Sequence, residues 1–329
     1  MRGMRRQLKR AAFFAPFVAV GVALGTIPLP FYALGPGPAR DVVPRIQVSG
    51  AEREPSTGSL LLTSVSVRQV TGIELILGGL DPDVEIEPAG DVVPAGTTFE
   101  RERERAISQM DTSKLDAAAA ALRFLTDYPR VHGDGVLVRA VVPGCAAEGE
   151  LFPGDLIVAI DGETVIDVRD VARILGGRPS GAVIAIDLRV DGQPESARLV
   201  REPCGGSVDP IVGVSLVNAF PIGITITSDG IGGPSAGLMF ALGICEVLGD
   251  DDLAAGRTVA GTGEIGQGGR VYPIGGIAQK LAAAEEAGAT LFLVPRGNLA
   301  EARATGTSLR LIAVDDLADA VAALAVPVG

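Results

Sequence analysis

The sequence predicts a multi-domain α/β (α+β) protein that begins with a transmembrane helix. Its 329 residues suffice for two or three domains, each with its own core. Short strand-like runs and tight turns fill residues 132–202, whereas strand-like and helix-like runs alternate from about Gly205 to the C-terminus, as in an α/β or α+β domain. We therefore divide the chain into four parts: residues 1–40, 41–130, 131–203 and 204–329.

The N-terminus carries a basic cluster followed by 29 uncharged residues, from Ala11 to Ala39. The apolar part, up to about Leu34, exceeds the roughly 20 residues that a helix needs to cross a bilayer. The basic cluster stays cytoplasmic by the positive-inside rule, so we expect a single-pass protein of the cytoplasmic membrane with an extracytoplasmic catalytic part. The alternative, a cleaved signal peptide, usually has an apolar core of only about 7 to 15 residues.

Residues 41–130 form a juxtamembrane region without obvious chemistry. Alternating apolar residues in SLLLTSVSV (59–67) and IELILGG (73–79) predict strands. From Thr97 onward the composition predicts a helix, and the charged run from Glu100 to Arg105 is typical of a solvated helix face.

Composition excludes several classes of function. The formal charge of −12 and the lack of a long basic run argue against a nucleic-acid partner. Cys145, Cys204 and Cys245 lack the C-x-x-C spacing of a zinc or redox site, and we expect no metal and no cofactor. The cysteines are interpreted as small buried apolar residues, with a Cys145–Cys204 bridge as the alternative if that part is exported.

Residues 135–162 contain the motifs of a recognisable small domain. They are a strand at Gly135–Val142, a short helix opened by Ala146–Gly149, and the turns Pro153-Gly154-Asp155 and Ile160-Asp161-Gly162. This pattern resembles a PDZ domain of the bacterial type. The resemblance implies a groove that accepts an extended peptide as an added strand.

In this chain, the resemblance puts the carboxylate-binding loop at His132 to Gly135. That loop departs from the best-known carboxylate-binding sequence of eukaryotic PDZ domains. The residues expected to bind peptide are Gly133, Asp134, Gly135, Val136, Leu137 and Val138.

The C-terminal part is predicted to contain four strands and four helices. The strands are GITITS (223–228), RTVAGTGEI (257–265), TLFLVP (290–295) and SLRLIAV (308–314). The helices start at Pro234, Gly276, Asn298 and Asp315. Ser235 then lies in a first helical turn, where backbone N–H groups lack partners and can stabilise an oxyanion.

Lysine is rare in this chain: only Lys9, Lys114 and Lys280 occur, against 25 arginines. A lysine within PIGGIAQKLAAA therefore suggests chemistry that a guanidinium cannot perform, since arginine does not lose its proton in a protein. Together with the serine of GGPSAG, 45 residues earlier, it is interpreted as a serine nucleophile with a lysine general base.

Two other motifs at this site have weaker interpretations. Gly233 to Gly237 fits the G-x-S-x-G nucleophile elbow, but that hydrolase needs a histidine after the serine, and the only histidine is His132. Gly261 to Gly266 fits G-x-G-x-x-G, but no helix sequence follows it to hold a pyrophosphate. No G-x-x-x-x-G-K-[ST] motif occurs, so we expect no ATPase module within this chain.

The joint pattern of GGPSAG, GTGEIG, PIGGIAQK and LVP resembles the proteolytic domain of Lon proteases. With the N-terminal segment and the PDZ-like domain, the chain is similar to membrane-anchored Lon-like proteases that lack the ATPase domain. The resemblance implies Ser235 as nucleophile, Lys280 as general base, and Thr262, Gly233 and Pro234 as auxiliary residues. It also implies self-association of the protease domain as a homo-oligomer.

One auxiliary position differs from the family pattern. Many ATP-dependent Lon proteases have an acidic residue three positions before the serine, where this chain has Gly232. Asp229 is a candidate for that space, with a turn residue as the alternative.

The function expected from the sequence is that of an ATP-independent serine endopeptidase, which cleaves peptides or unfolded segments of exported or membrane proteins. The alternative is a membrane-tethered PDZ scaffold with an inactive Lon-like domain.

Overall fold

The computed structural model describes residue 16 and residues 20–325; residues 20–26 are helical and are named α1. Up to residue 125, the further elements are β1 (Pro28–Pro36), β2 (Arg40–Asp41), β3 (Ile46–Ser49), β4 (Ser59–Leu62), β5 (Val65–Thr71), α2 (Gly72–Gly78), β6 (Glu85–Pro88), α3 (Ala89–Val92) and α4 (Phe99–Leu125). β5, β1 and β6 form an antiparallel sheet in that order.

The expected transmembrane helix is wrong in its second half. Residues 28–36 form β1, whose backbone pairs with β5 on one side and β6 on the other. Proline at positions 28, 30 and 36 disfavours helix in this stretch. Within residue 16 and residues 20–325, no helix is both long enough and apolar enough to cross a membrane. The earlier part of the expected span, residues 11–15 and 17–19, lies outside the described residues.

The strand predicted for IELILGG is also wrong, because these residues form helix α2. Thr71 and Glu74 form a capping box. The Thr71 backbone N–H donates to Glu74 Oε2 at 2.9 Å, and the Glu74 N–H donates to Thr71 Oγ1 at 3.5 Å. This reciprocal cap satisfies donors at the helix start and overrides the β-branched composition. The helix predicted from Thr97 is confirmed as α4, with Thr98 as its N-cap.

A β-rich domain follows α4 and has a separate hydrophobic core. Its main sheet has the order β11-β10-β8-β7-β14, and β9 pairs with β8. The elements are β7 (Val136–Val141), β8 (Leu156–Ile160), β9 (Glu163–Thr164), α5 (Val168–Gly176), β10 (Val183–Val190), β11 (Gln193–Val200), β12 (Glu202–Pro203), β13 (Pro210–Ile211) and β14 (Val214–Asn218).

The C-terminal domain contains a five-stranded sheet of order β2-β4-β16-β19-β20, parallel except for β2. Its elements are β15 (Gly223–Ile226), a 3-10 turn (Pro234–Ala236), α6 (Gly237–Leu248), β16 (Thr258–Gly261), β17 (Glu264–Ile265), β18 (Val271–Tyr272), α7 (Ile277–Glu286), β19 (Leu291–Pro295), α8 (Leu299–Ala304), β20 (Arg310–Val314) and α9 (Leu317–Ala325). All four predicted strands and helix starts are present; the second strand is split into β16 and β17.

Residues 41–130 are not a separate layer beside this domain. β4 is an inner strand of its sheet, paired with β16 in parallel from Ser59↔Thr258 to Leu62↔Gly261. Met110 and Ala117 of α4 are buried in the same core as Phe240 of α6. The β-rich domain is therefore inserted between α4 and β15, two elements of one domain.

Candidate active site

Ser235 lies in the 3-10 turn that leads directly into α6. The turn begins after Gly233, whose φ of 87° lies in the left-handed region that favours glycine. The Ser235 side chain is half-buried, whereas the α6 residues that follow it are buried as far as Val247. The Ser235 hydroxyl thus lies at the start of a buried apolar helix.

Helix α4 fixes the loop that carries this serine. The Gly233 backbone N–H donates to the Ala106 carbonyl at 2.7 Å. About two turns later along α4, the buried Ser113 hydroxyl donates to the Pro234 carbonyl at 2.9 Å. Sequence reasoning missed both residues, because they lie about 120 positions before the loop and belong to no motif.

Lys280 is buried in α7, with only 4% of its surface exposed. Its Nζ donates to Thr262 Oγ1 at 3.3 Å. Burial lowers the pKa of Lys280 from 10.5 to about 8, because desolvation penalises the ammonium form. The neighbours Ile277, Leu281 and Ala284 are buried in one cluster, as expected for the same helical side.

Thr262 connects the lysine to the serine segment. Its hydroxyl donates to the Ser235 carbonyl at 3.1 Å and accepts from Lys280 Nζ at 3.3 Å. The next residue strengthens this contact, because the Gly263 N–H donates to the same Ser235 carbonyl at 2.8 Å. The structure therefore brings together Ser235, Thr262 and Lys280, which are 27 and 18 residues apart in sequence.

Asp229 is paired with two arginines. It has a φ of 50° and accepts from Arg45 Nε at 2.9 Å, with Arg40 Nη1 at 3.1 Å. These ion pairs tie the turn before Gly232 to the N-terminal strands.

Gly232 also has no room for a side chain. A Cβ added there would lie 2.8 Å from the Cβ of Ala106 and 3.1 Å from its backbone carbon. Helix α4 thus occupies the space that an acidic residue at position 232 would need.

We expect Gly232→Asp to lower the free energy of unfolding by about 1–3 kcal/mol, as overpacking does. Chemical denaturation measures this change. Gly268→Asp is the matched control, since a Cβ at Gly268 meets nothing within 4 Å. Equal stability of the two variants would contradict the steric role of Ala106.

The other motifs at the site are explained by structure. Gly261 ends β16, and residues 264–265 form β17 without a following helix, so the G-x-G-x-x-G pattern is a strand end and a turn. Among the described residues, no group of three or more His, Cys, Asp or Glu side chains could hold a metal ion.

Comparison with known families agrees with this geometry. The model of the Lon protease (S16) C-terminal proteolytic domain matches residues 221–325, the segment that contains Ser235, Thr262 and Lys280. The chain contains a Lon-type proteolytic domain. A PDZ domain model matches residues 137–189, and a PDZ domain is therefore present as well. The Lon domain supports a serine protease function.

Curated relatives are Lon proteases. The chain is 27% identical to the Lon protease of Phenylobacterium zucineum over 93% of this chain and 38% of that protein. It is 41% identical to the Lon protease of Campylobacter concisus over 26% of this chain and 11% of that protein. The chain thus spans between about a tenth and two fifths of the length of these relatives.

Solved structures similar to this chain include the PDZ domain of the SdrC-like protein from Listeria monocytogenes. The identity is 26%, the match covers 26% of this chain and 92% of that chain, and the TM-score is 0.25.

The strand at the edge of the PDZ sheet is not the strand that the sequence predicted to bind peptide. β7, which contains Val136, Leu137 and Val138, is paired with β8 on one side and with β14 on the other. No peptide can add to a strand whose two edges are both occupied. The terminal strand on this side of the sheet is β14, so the prediction of residues 136–138 as the peptide-binding strand is wrong.

The loop predicted to bind a carboxylate is used within the chain. The Gly133 N–H donates to the Ala219 carbonyl at 3.0 Å, and the Gly135 N–H donates to the Ile166 carbonyl at 3.0 Å. His132 Nδ1 lies 2.7 Å from the Gly133 carbonyl oxygen. Two amides of the expected loop are therefore occupied, and Asp134 lies between them.

The helix that packs beside β14 is α5. The Val168 N–H at the start of α5 donates to Asn218 Oδ1 of β14 at 3.0 Å. Arg173, on another face of α5, pairs with Glu163 of β9. Val168 and Ala172 are exposed and lie one helical turn apart on α5.

Before β14 lies Ile211-Val212-Gly213, a loop fastened to the body of the domain. The Val142 N–H donates to the Gly213 carbonyl at 2.8 Å, and the Ala147 N–H donates to the Val212 carbonyl at 3.1 Å. Cys145 and Cys204 form a disulfide, and a Cβ at Gly213 would lie 2.1 Å from the Cβ of Cys145. The interpretation of these two cysteines as unbridged apolar residues is therefore wrong, whereas Cys245 is free and buried.

An ion pair docks the PDZ domain on α4. Asp116 is buried and accepts from Arg139 Nε at 2.6 Å and from Nη2 at 2.7 Å. These hydrogen bonds raise the pKa of the Arg139 guanidinium. Asp116 lies one turn after Ser113, so α4 contacts both the PDZ domain and the serine loop.

A cavity of about 1090 Å³ lies between α4, the PDZ domain and the Lon domain. Its walls include Val141 and Phe152 of the PDZ domain, Ile107 of α4, and Pro234 with Ile265 of the Lon domain. The cavity thus extends from the PDZ surface to the residue beside Ser235.

Proposed function

We propose that this protein is an ATP-independent serine endopeptidase with a Ser235–Lys280 dyad. The observation that carries the proposal is the buried Lys280 amine, 3.3 Å from a threonine hydroxyl that also bonds the Ser235 carbonyl. With a pKa of about 8, roughly one lysine in ten is neutral at pH 7, against about one in a few thousand for a solvated lysine.

In the proposed mechanism, neutral Lys280 accepts the Ser235 Oγ proton as Oγ attacks the scissile carbonyl. The proton then passes to the leaving amine, which gives an acyl-enzyme. Water hydrolyses the acyl-enzyme, with Lys280 again as the base. Backbone N–H groups at the start of α6 stabilise the oxyanion, and Thr262 orients the amine. That this catalysis proceeds without nucleotide stays a prediction from the resemblance to Lon-like proteases that lack the ATPase domain.

A fluorophosphonate probe tests the dyad, because it labels only an activated serine. We expect labelling of the wild type, and no labelling of Ser235→Ala or Lys280→Arg. Lys114→Arg is the matched control and should retain labelling, since Lys114 pairs with Asp111 on α4. Equal labelling of wild type, Ser235→Ala and Lys280→Arg would contradict the Ser235–Lys280 dyad. No labelling of the wild type would favour the alternative, a PDZ scaffold with an inactive Lon domain.

The pH dependence of cleavage provides a second prediction. The reactive form of Lys280 is the neutral amine, so kcat/KM should rise with pH through an apparent pKa of about 8. The rise between pH 7 and pH 9 should be about tenfold, following the neutral fraction. A short soluble peptide substrate avoids changes in substrate folding. A flat profile between pH 7 and 9 would contradict Lys280 as the general base.

We also propose that the PDZ domain presents substrate tails to the Lon domain. The unpaired side of β14 supports this role, because an extended peptide can add there as a strand. The cavity between the two domains gives the remaining segment a path toward Pro234 and Ser235. Substrates would be exposed tails or unfolded segments, because only an extended chain can pair with β14 as an added strand and a compact folded protein offers none.

Ala172→Trp places a bulky side chain on the exposed surface of α5, the helix that packs beside β14. We expect it to raise KM for tailed substrates and leave cleavage of a short peptide unchanged. Ser196→Trp, on exposed β11 at the opposite edge of the sheet, is the matched control. Loss of short-peptide cleavage in Ala172→Trp would indicate a general structural effect and contradict a role limited to presentation.

We further propose an extracytoplasmic location at the cytoplasmic membrane. The Cys145–Cys204 disulfide supports it, because such bonds persist in oxidising compartments. The basic residues before Ala11 and the uncharged stretch after them support attachment through the N-terminus. A homo-oligomer stays a prediction from the family resemblance, to be measured by analytical ultracentrifugation in detergent.

A further inference from the structure

Eight large apolar side chains form an exposed surface at the N-terminal end of the protein. Four are in or just after α1 and four are in or just after α2. Their exposed fractions run from 42% for Leu24 to 78% for Leu80. We call this set the apolar patch: Val20, Val22, Leu24, Ile27, Ile73, Ile76, Leu77 and Leu80.

The two halves of the patch are in contact. A Cβ added at Gly72 would lie 2.6 Å from Leu24 Cδ2, and one added at Gly25 would lie 3.4 Å from Ile73 Cδ1. The helices therefore pack at glycines, and their outward side chains form one continuous surface. Contiguous exposed apolar surface of this kind marks a site of interaction, unlike apolar residues scattered singly.

The N-terminal segment that contains the first half of the patch indicates what covers the patch. Residues from Ala11 to Ile27 are uncharged, and five basic residues precede them. Seventeen residues span about 25 Å as a helix, less than the roughly 30 Å hydrocarbon core of a bilayer. β1 starts at Pro28 and fixes where the span ends. Such a short segment draws its flanking residues into the lipid interface.

The charged residues beside the patch indicate that the patch binds a membrane by inserting its apolar side chains, and not by attraction to anionic lipid headgroups. Arg68 is neutralised by its ion pair with Glu74 at 2.5 Å, and Asp81 and Asp83 follow Leu80. A surface that binds anionic headgroups would instead present clustered lysine and arginine.

We propose that α2 and Leu80 lie in the membrane interface beside the N-terminal segment. This inference rests on the proposed membrane location. The proposed position also places the catalytic helix near the membrane. α7, the helix of Lys280, packs against β1. Gln279 Nε2 on α7 donates to Glu85 Oε2 of β6 at 3.3 Å. The sheet that carries the patch thus supports the catalytic helix. Substrate segments that have just emerged from the bilayer are therefore the class within closest reach.

The test uses the full chain in phosphatidylcholine vesicles, with an environment-sensitive fluorophore on Leu77→Cys or Leu80→Cys. Native cysteines do not interfere, because two form the disulfide and Cys245 is buried. Lipids brominated on their acyl chains should quench both labels roughly twofold or more, as for residues within about 5–10 Å of the headgroup boundary. Val183→Cys in the PDZ domain, 60% exposed, is the control and should stay unquenched.

The outcomes separate the two proposals. Quenching at positions 77 and 80, unchanged by high salt or by added phosphatidylglycerol, supports the inference. If the protein floats with the vesicles but both labels behave like the control, the inference fails and the membrane location stands. If the protein does not float with vesicles, both fail. Disulfide cross-links between two Leu77→Cys chains would show that a second copy covers the patch, which also overturns the inference.

Discussion

Replacing Lys280 by methionine is expected to abolish proteolysis and at the same time to stabilise the protein at pH 7. Burial lowers the pKa of this lysine from 10.5 to about 8, so the folded state binds the proton less tightly than the unfolded state does. Below pH 8 the lysine is protonated in both states, and burying its ammonium group lowers the free energy of unfolding by about 3 kcal/mol for a pKa shift of this size. Methionine fills similar volume without a charge, so the variant should gain roughly that free energy of unfolding.

The gain should depend on pH in a defined direction. As pH rises from 8 toward 10.5, the unfolded state also loses its proton and the cost disappears. The advantage of Lys280→Met should therefore fall below about 1 kcal/mol at pH 10. Urea denaturation of both proteins at pH 7 and pH 10 measures this. Lys114→Met, whose parent lysine is partly exposed, should change stability by less than about 1 kcal/mol at either pH. A destabilised Lys280→Met would contradict the buried, weakly basic lysine.

Removing the disulfide with Cys145→Ser and Cys204→Ser is expected to cost the PDZ domain about 4 kcal/mol, the chain-entropy value for a closed loop of about 60 residues. The two cysteines are 59 residues apart. The loss should be concentrated at residues 211–218, since Gly213 packs directly on Cys145. Hydrogen exchange of the full chain should show faster exchange in β14, and tailed substrates should bind more weakly.

Cys245→Ala is the matched control for this experiment. Cys245 is buried in the Lon core, so its replacement should leave exchange in β14 unchanged. Slow exchange in β14 after removal of the disulfide would show that hydrogen bonds alone hold the Ile211-Val212-Gly213 loop.

Ser235 and Lys280 could be predicted as catalytic candidates from the sequence, because each is marked by the residues next to it. Ser235 follows two glycines and a proline that specify a turn, and Lys280 is a rare lysine in a helix of alanines. The β-strand and helix pattern of residues 223–325 was equally readable, because each element there has a clear apolar period. The structure adds the 3.1 and 3.3 Å contacts of Thr262 that link the two candidates.

The elements that were misassigned have a different physical character. β1 is as apolar as a membrane span; its prolines disfavour a helix, and its pairing with β5 and β6 makes it a strand. The IELILGG segment has strand composition, and a capping box at Thr71 and Glu74 makes it a helix. In both segments the apolar composition fits either helix or strand, and the hydrogen-bond partners of the segment determine which one forms.

The sequence by itself indicated a Lon-type proteolytic domain with Ser235 and Lys280 as candidate residues, a PDZ domain before it and an uncharged N-terminal segment, because short-range patterns encode all three. Only the tertiary structure decided which strand of the PDZ domain lies at the edge of the sheet, where a peptide can pair with it, and which helix holds the serine loop. β14 closes one edge of β7 from about 75 residues away, and α4 supports Gly233 and Pro234 from more than 100 residues away. Contacts between such distant segments depend on how whole elements pack, and no local pattern records them.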